Sequence, residues 1–438
     1  MLLLLIASLI LVSTSAMPNN FINKTSDYFV KEISNSPGID EILASKEKFV
    51  KPQFFAPILS DAELTTLELV DKYGYNGELH KVITYDGYIL ELHRITGRSN
   101  SSVVQKPVAF VMHGILGSSA IWVLSGPEKS LAFILADAGY DVWLANARGT
   151  MYSRKHRHLS IQDKKYWDFS WHEIGTRDLP AMIDYVVNTT GREKLFYLGH
   201  SQGTTTFFVM AAELPEYQKN IQAMFAMAPV VYCGRMPSPV MQFLAKFSCS
   251  INALLKLIGK YEFEPTSEAM NIFKKIVCAE DTITQSLCSN LLFLITGFDS
   301  EQLNKTLLPI TLAHIPAGTA TKQMMHYAQL INSGILVGPG KFRQYDYGPF
   351  GNLKEYGWLI PPSYNLSKIQ VPVSLHYSTN DWLANVKDVH KLYKELGNPY
   401  GKFRVPFEKF NHLDFMWAID VKELLYEKIL SLMTHFPH

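Results

Sequence analysis

The strongest constraint on this chain is a rhythm. Six short apolar runs recur along it, PVAFVMHG, YDVWLANARG, LFYLGHS and IQAMFAMAPVV, then much later VPVSLHYSTND and KFRVPFEKFNH, and helix-length segments separate most of them. Near-continuous apolar runs suit strands covered on both faces, so the alternation predicts a mostly parallel central sheet with helices on both faces. Upstream, HKVITYDGYILELHRI sets Asp86-Gly87 between two β-rich runs, which predicts an antiparallel hairpin where the sheet begins. Between Ala228 and Val371 the rhythm stops for far longer than a connecting loop requires, so an inserted cap is expected there. The resulting division is residues 58–230 and 371–438 as two parts of one core, with residues 231–370 as a mainly helical cap and lid.

Within that frame one pentapeptide carries chemistry. Gly199-His200-Ser201-Gln202-Gly203 follows the strand-like LFYL and precedes the helix-compatible TTTFFVMAAEL, the context in which G-x-S-x-G forms a nucleophile elbow. A serine hydroxyl is a poor nucleophile until a neighbour takes its proton, and the sharp turn offers the side chain to both base and substrate. The bland alternative is a glycine turn that happens to hold a serine. The rest of the constellation argues against it, because the α/β-hydrolase fold places an acid and then a histidine downstream. Asp381 directly follows VPVSLHYSTN, at the strand end where open α/β sheets build their sites. Asp388 is its rival, but it suits the first turn of the helix DVHKLYKELG. His412, in FNHLDF, follows the last run and fits the base; His80, His93, His326 and His376 do not follow it and read as ordinary partnered side chains. Asp414 reads as an anchor of the loop that holds His412.

A tetrahedral intermediate carries negative charge on the former carbonyl oxygen, and losing one preorganised N–H donor costs roughly 2.7–4 kcal/mol. The amide of Gln202 is one expected donor. The other is the amide of Ile115 in His113-Gly114-Ile115-Leu116-Gly117, where His113 reads as a polar group that stabilises the loop. No metal or organic cofactor is expected, since base and oxyanion pocket supply the activation.

Residues 1–16, MLLLLIASLILVSTSA, form an apolar run too short for a membrane span that stops at small residues, as a signal peptide does; no Lys or Arg precedes the run, so an uncleaved anchor is the alternative. Residues 17–57 follow as a polar leader or arm. Asn23, Asn100, Asn188, Asn304 and Asn365 head Asn-x-Ser/Thr acceptor sites, which suit a secreted chain. In an oxidising compartment the cysteines Cys233, Cys249, Cys278 and Cys288 read as local staples, with Cys278–Cys288 preferred and buried free thiols as the alternative. A net charge of +1 with 18% charged residues gives no footprint for nucleic acid, and no transmembrane span is expected in the mature chain.

With these residues assembled, the chain resembles the acid lipase family of α/β-hydrolases, which includes gastric lipase and lysosomal acid lipase. The resemblance runs from about Glu68 to about Met433 through ELVDKYGY, TYDGYIL, VMHGILGSSAIWV, DVWLANARGTMYSRKH, WDFSWHEIGTRDLPAMIDY, YLGHSQGTT, FAMAPV, GFD, HIPAGT, QYDYG, NDWLA and FNHLDFMWA. It implies Ser201 as nucleophile, Asp381 as acid, His412 as base and the amides of Ile115 and Gln202 as oxyanion donors. It further implies a lid over an apolar cleft, lipid ester substrates such as triacylglycerols or sterol esters, transient contact with a lipid interface, and work in the gut lumen or lysosome. Two departures stand out: HGIL replaces HGLL, and DWLANVKDV lacks the usual proline, with Trp382 beside the acid and Val386 at the proline position. Cysteine positions vary among relatives, and Cys233–Cys249 is the candidate second bridge. A soluble-ester carboxylesterase, a peptidase and a silent lipid carrier on the same fold are the competing expectations.

Overall fold

The strand that leads into Ser201, β5 (Leu195–His200), lies at the centre of a sheet whose order is β1-β2-β4-β3-β5-β6-β7-β8. The others are β1 (Tyr75–Ile83), β2 (Tyr88–Arg98), β3 (Val108–Met112), β4 (Asp141–Ala145), β6 (Ile221–Met227), β7 (Val373–Tyr377) and β8 (Pro399–Arg404). A two-residue strand, Lys155–His156, adds to β2 off this path. β1 pairs antiparallel with β2, β2 antiparallel with β4, and every pairing from β4 across to β8 is parallel. The computed structural model describes residues 61–98, 105–263, 283–337 and 340–437, all in the unit Phe55–His438. The expected signal peptide 1–16, the arm 17–57, Asn23, Asn100, Cys278 and the side chain of Cys288 lie outside the described residues.

The apolar runs become strands for the reason their composition suggests. Successive side chains of a strand point to opposite faces, and in β3, β4 and β5 every residue is buried, so both faces of the central sheet are covered. The outer strands β1 and β8 alternate buried or half-buried with exposed positions, as edges do. At the start of the sheet Gly87 adopts φ +98°, and its N–H bonds to Thr84 O to close the expected hairpin turn. The last strand falls earlier than KFRVPFEKFNH suggested: β8 ends at Arg404, and the apolar residues after it enter the loop that carries His412.

Three of the quoted motifs meet in a buried charge cluster. Arg148, after β4, donates to Asp178 at the start of helix α1 (Leu179–Thr190) and to Asp86 in the hairpin turn, at 2.7 Å in each case, and its guanidinium lies 3.9 Å from the Tyr88 ring centre. Burial works against the charge of Asp86, yet hydrogen bonds from Arg148, Thr84 and Arg177 outweigh it and hold that carboxyl well below the usual range. Helix α2 (Gln202–Glu213) follows Ser201.

Between β6 and β7 the sheet is interrupted by helices α3 (Pro239–Lys246), α4 (Ser248–Leu257), α5 (Ile283–Thr296), α6 (Leu308–His314), α7 (Thr321–Val337) and α8 (Pro349–Tyr356). A two-residue ladder, Glu262–Phe263 with Thr319–Ala320, lies among them. One expectation is corrected in this stretch: Cys233 and Cys249 are free thiols and form no bridge. Cys233 is buried just after β6, whereas Cys249 is exposed on α4, so the two occupy different environments.

Candidate active site

The elbow is built by two close approaches. A Cβ on Gly203 would stand 2.4 Å from the carbonyl oxygen of Met112 in β3, and one on Gly199 would stand 2.9 Å from the backbone of Gly203, so only glycine fits at either place. Between them Ser201 is held at φ +52°, ψ −117°, a region that costs a non-glycine residue on the order of 1–3 kcal/mol. The turn is pinned where Ser201 N–H donates to Met227 O and the Thr204 hydroxyl donates to Ser201 O.

Asp381 and His412 arrive from the far side of the sheet, in the loops that follow β7 and β8. The Nδ1–H of His412 donates to Asp381, with Oδ2 at 2.9 Å and Oδ1 at 3.0 Å. That leaves the lone pair on Nε2, which lies 2.8 Å from Ser201 Oγ and accepts a hydrogen bond from its hydroxyl. Asp381 is fixed in turn by N–H groups of Leu383 and Ala384, both at 2.8 Å to Oδ1. All three side chains are buried, at 6% exposure for Ser201, 2% for Asp381 and 3% for His412. The structure thus joins residues separated by up to 211 positions into one hydrogen-bonded chain.

The rival assignments find other partners. Asp388, the competing acid, accepts from the backbone and guanidinium of Arg235. His113 donates from Nδ1 to Gly114 O and accepts at Nε2 from Ala147 N–H, while burial lowers its pKa to about 4 and keeps it neutral. It therefore ties the turn after β3 to the loop after β4. His80, His93, His326 and His376 bond to Tyr185, Ser119, Arg343 O and Ser374 respectively. His200, next to Ser201, bonds through Nε2 to the backbone oxygen of His412 at 3.0 Å, so this turn also braces the loop of His412. Val386 opens the helix Val386–Glu395, a first-turn position where proline is welcome but not required, and the Asn385 side chain caps it.

The two expected oxyanion donors, the N–H groups of Ile115 and Gln202, belong to turns that adjoin Ser201. Gln202 is the first residue of α2, so its amide has no partner within the helix. The turn at Ile115 crosses the serine closely: a Cβ on Gly114 would lie 3.1 Å from Ser201 Cβ, and Leu116 takes φ +63° to complete the turn. Leu116 O accepts from Ala317 N–H at 2.7 Å, which fastens this turn to the HIPAGT segment.

Sequence reasoning did not assign roles to that segment or to Gly297-Phe298-Asp299. Thr296 O accepts from Trp382 N–H at 3.1 Å and from His412 N–H at 3.3 Å, and Asn380 Nδ2 donates to Phe298 O. Gly297 sits at φ +113° where a Cβ would meet Asn380 O at 2.0 Å. The signal was present in the motifs GFD and HIPAGT, but nothing in their residue types says that they hold other loops by backbone.

Two family models match this chain: a partial alpha/beta-hydrolase lipase region over residues 66–126, and the alpha/beta hydrolase fold over residues 107–248. Drosophila melanogaster Lipase 3 is 43% identical over 84% of this chain and 92% of its own length. Gastric triacylglycerol lipase of Bos taurus is 38% identical over 85% and 92%, and human lysosomal acid lipase/cholesteryl ester hydrolase 38% over 86% and 92%. In fold, the chain is similar to a Sulfolobus solfataricus crystal structure (TM-score 0.56, 13% identity, covering 83% of this chain and 95% of that one). It is also similar to a soluble variant of monoglyceride lipase from Saccharomyces cerevisiae (TM-score 0.50, 13% identity, 82% and 96%). Likeness at that level speaks for the fold alone, whereas identity near two-fifths across nine-tenths of each curated relative speaks for descent: the chain belongs to the acid lipase family of α/β-hydrolases.

Proposed function

We propose that this protein is a secreted or lysosomal serine hydrolase that cleaves lipid esters, triacylglycerols or sterol esters, through an acyl-enzyme. The observation that carries the reading is the position of His412, within hydrogen-bond distance of both Ser201 Oγ and Asp381. Nε2 takes the hydroxyl proton as Oγ bonds to the ester carbonyl carbon, and the electron pair moves onto the carbonyl oxygen, where the N–H groups of Ile115 and Gln202 receive it. Collapse of the intermediate breaks the bond to the alcohol oxygen, which leaves with the proton from Nε2. Water then attacks the acyl-enzyme with His412 again as base, releasing the fatty acid and restoring Ser201. Asp381 keeps Nδ1 protonated and steadies the imidazolium throughout.

Residues 231–370 act as the cap in this reading. The buried triad requires that part of the cap move before a long acyl chain can enter. Exposed Phe350, Leu353, Trp358, Leu359 and Ile360 support transient contact with a lipid surface, and among the described residues no helix is long and apolar enough to cross a membrane. Residues 1–16 are the signal peptide of this proposal, and exposed Asn188 and Asn365, with half-buried Asn304, are its glycan acceptors within the described residues. Ser201→Ala tests the central claim. Hydrolysis of a triglyceride emulsion should fall by about 10⁴-fold or more while the protein still melts cooperatively; a variant that keeps turning over the emulsion would remove the serine from the reaction. A wild type active on short soluble esters and inert toward the emulsion would favour the carboxylesterase alternative.

A further inference from the structure

A second histidine stands beside the base, and the mechanism above gives it no part. His200 is the last residue of β5 and the neighbour of Ser201, and it is 2% exposed. A carbonyl oxygen can only accept, so the 3.0 Å contact with His412 O fixes the tautomer: Nε2 carries the proton and Nδ1 the lone pair. The two imidazole rings lie 4.8 Å apart, and the rings of Trp122 and Phe415 close round His200 at 6.5 and 6.3 Å. Its other edge faces the turn that carries Ile115, since a Cβ on Gly114 would stand 3.1 Å from Nδ1. That nitrogen is buried and meets no donor among the described residues. A buried polar atom left unpaired is costly, so shape alone does not account for an imidazole here.

Resting on the hydrolase reading, we propose that His200 is a positioning residue, holding His412 and the Gly114-Ile115 turn at their working distances from Ser201. Its effect on the reaction passes through the backbone of the base. One bond separates the carbonyl carbon of His412 from the Cα that bears its imidazole, so holding that carbonyl limits how far Nε2 can drift from Ser201 Oγ, 2.8 Å away.

The N–H of His412 is held from the opposite side by Thr296 O at 3.3 Å, so both peptide groups of the base are fixed. An error of about 1 Å in such a site costs on the order of 100-fold in rate. Asn411 and Asp414 also tighten this loop, through Asn411 N–H to Asp414 and Leu413 N–H to Asn411 Oδ1, but those bonds stay within it. The bond from His200 is made by the strand end that carries the serine itself. The ring also stays uncharged beside a base that must become positive: burial, and then the charges of His412 and His113, hold its pKa well below the usual histidine range. The imidazolium formed at His412 therefore meets a neutral neighbour rather than a second cation.

The test uses the full chain, the rate at which a fluorophosphonate labels Ser201, and kcat and KM on a soluble short-chain ester. His200→Phe keeps a ring and removes the donor. His200→Gln places an amide N–H where Nε2–H stood, whereas the shorter side chain of His200→Asn offers its N–H at the Nδ1 edge. His200→Phe should slow labelling and kcat by about 10- to 100-fold with KM changed by no more than about twofold. His200→Gln should recover to within about fivefold of the wild type, and His200→Asn should stay as slow as His200→Phe. A space-filling role predicts the reverse order, with the phenyl ring nearest the wild type. Labelling of His200→Phe at the wild-type rate, or equal rates in the Gln and Asn variants, would overturn the proposal. Should His200→Phe fail to fold, the two amides carry the same comparison, since neither is larger than imidazole and they differ in where the N–H reaches. A wild type that is not labelled at all would instead bring down the serine hydrolase reading itself.

Discussion

Two apolar stretches of this molecule meet opposite fates. From Leu195 to Ala212, through β5, the elbow and most of α2, every residue is buried. From Pro349 to Ile360 only Asn352 is buried, although the segment carries Phe350, Leu353, Trp358, Leu359 and Ile360, with Phe350 at 89% and Trp358 at 74% exposure. The first stretch is held by packing on all sides, as expected of a helix without a polar face. The second is held by polar pins: Asn352 accepts from Tyr347 N–H and donates to Asp346 and to Leu359 O, and the Tyr356 hydroxyl donates to Tyr345 O. Hydrophobicity alone therefore does not say where a segment goes. Where the polar groups of a segment are satisfied locally, its apolar side chains can stay exposed without unfolding it.

The sharpest way to break this comparison is to add one methyl group to each stretch. Gly203→Ala puts a Cβ 2.4 Å from Met112 O and 3.0 Å from His113 O, against backbone that cannot give way, so the variant should lose more than about 4 kcal/mol or fail to fold. Gly357→Ala meets nothing within 4 Å and is penalised only for its φ of +75°, on the order of 1 kcal/mol. Urea unfolding of the two variants reads the difference; equal losses would show that the elbow is not as tightly packed as its geometry states.

A middle-sized effect should come from the pin itself. Asn352→Ala removes bonds to Tyr347, Asp346 and Leu359 and leaves those partners to water or to nothing, at a cost of about 1–3 kcal/mol. The loss should be local. Hydrogen exchange is expected to speed up across residues 346–360 and to stay unchanged in β5 and α2; protection lost in both would mean that the segment is part of the main cooperative unit.

The same contrast explains what could be read from the residues. The parallel strands, the Asp86-Gly87 hairpin and the elbow are legible because each depends on local rules: apolar runs, a two-residue turn, glycines flanking a serine. Asp381 and His412 follow from chain order once Ser201 is chosen, and the structure brings all three together. The grip of Thr296 on His412 and the hold of Ala317 on Leu116 were not legible. They are made by backbone groups, or by residues whose nearest relevant neighbours are more than a hundred positions away. The free thiols of Cys233 and Cys249 teach the same point, since nearness in sequence gave no measure of burial or of approach. The end of β8 was misplaced because Val405 and Phe410 are as apolar as strand residues but are buried in a loop.

The gentlest perturbation is also the one that speaks to purpose. Replacing Phe350, Trp358, Leu359 and Ile360 together by Ser removes exposed apolar surface and no buried contact, so each change should shift stability by about 0.5 kcal/mol or less. If these side chains serve only to decorate the surface, hydrolysis of a soluble short-chain ester and of an emulsified triglyceride should be equally unaffected. If they insert at a lipid boundary, as the proposed function requires of some part of the cap, the soluble rate should hold while the emulsion rate falls by about tenfold, the equivalent of roughly 1.4 kcal/mol of interfacial binding. The triad is common to both assays, so a selective loss can arise only from how the enzyme meets its substrate phase. A parallel drop in both assays would place the segment in the support of the catalytic rim and end its distinction from the buried stretch.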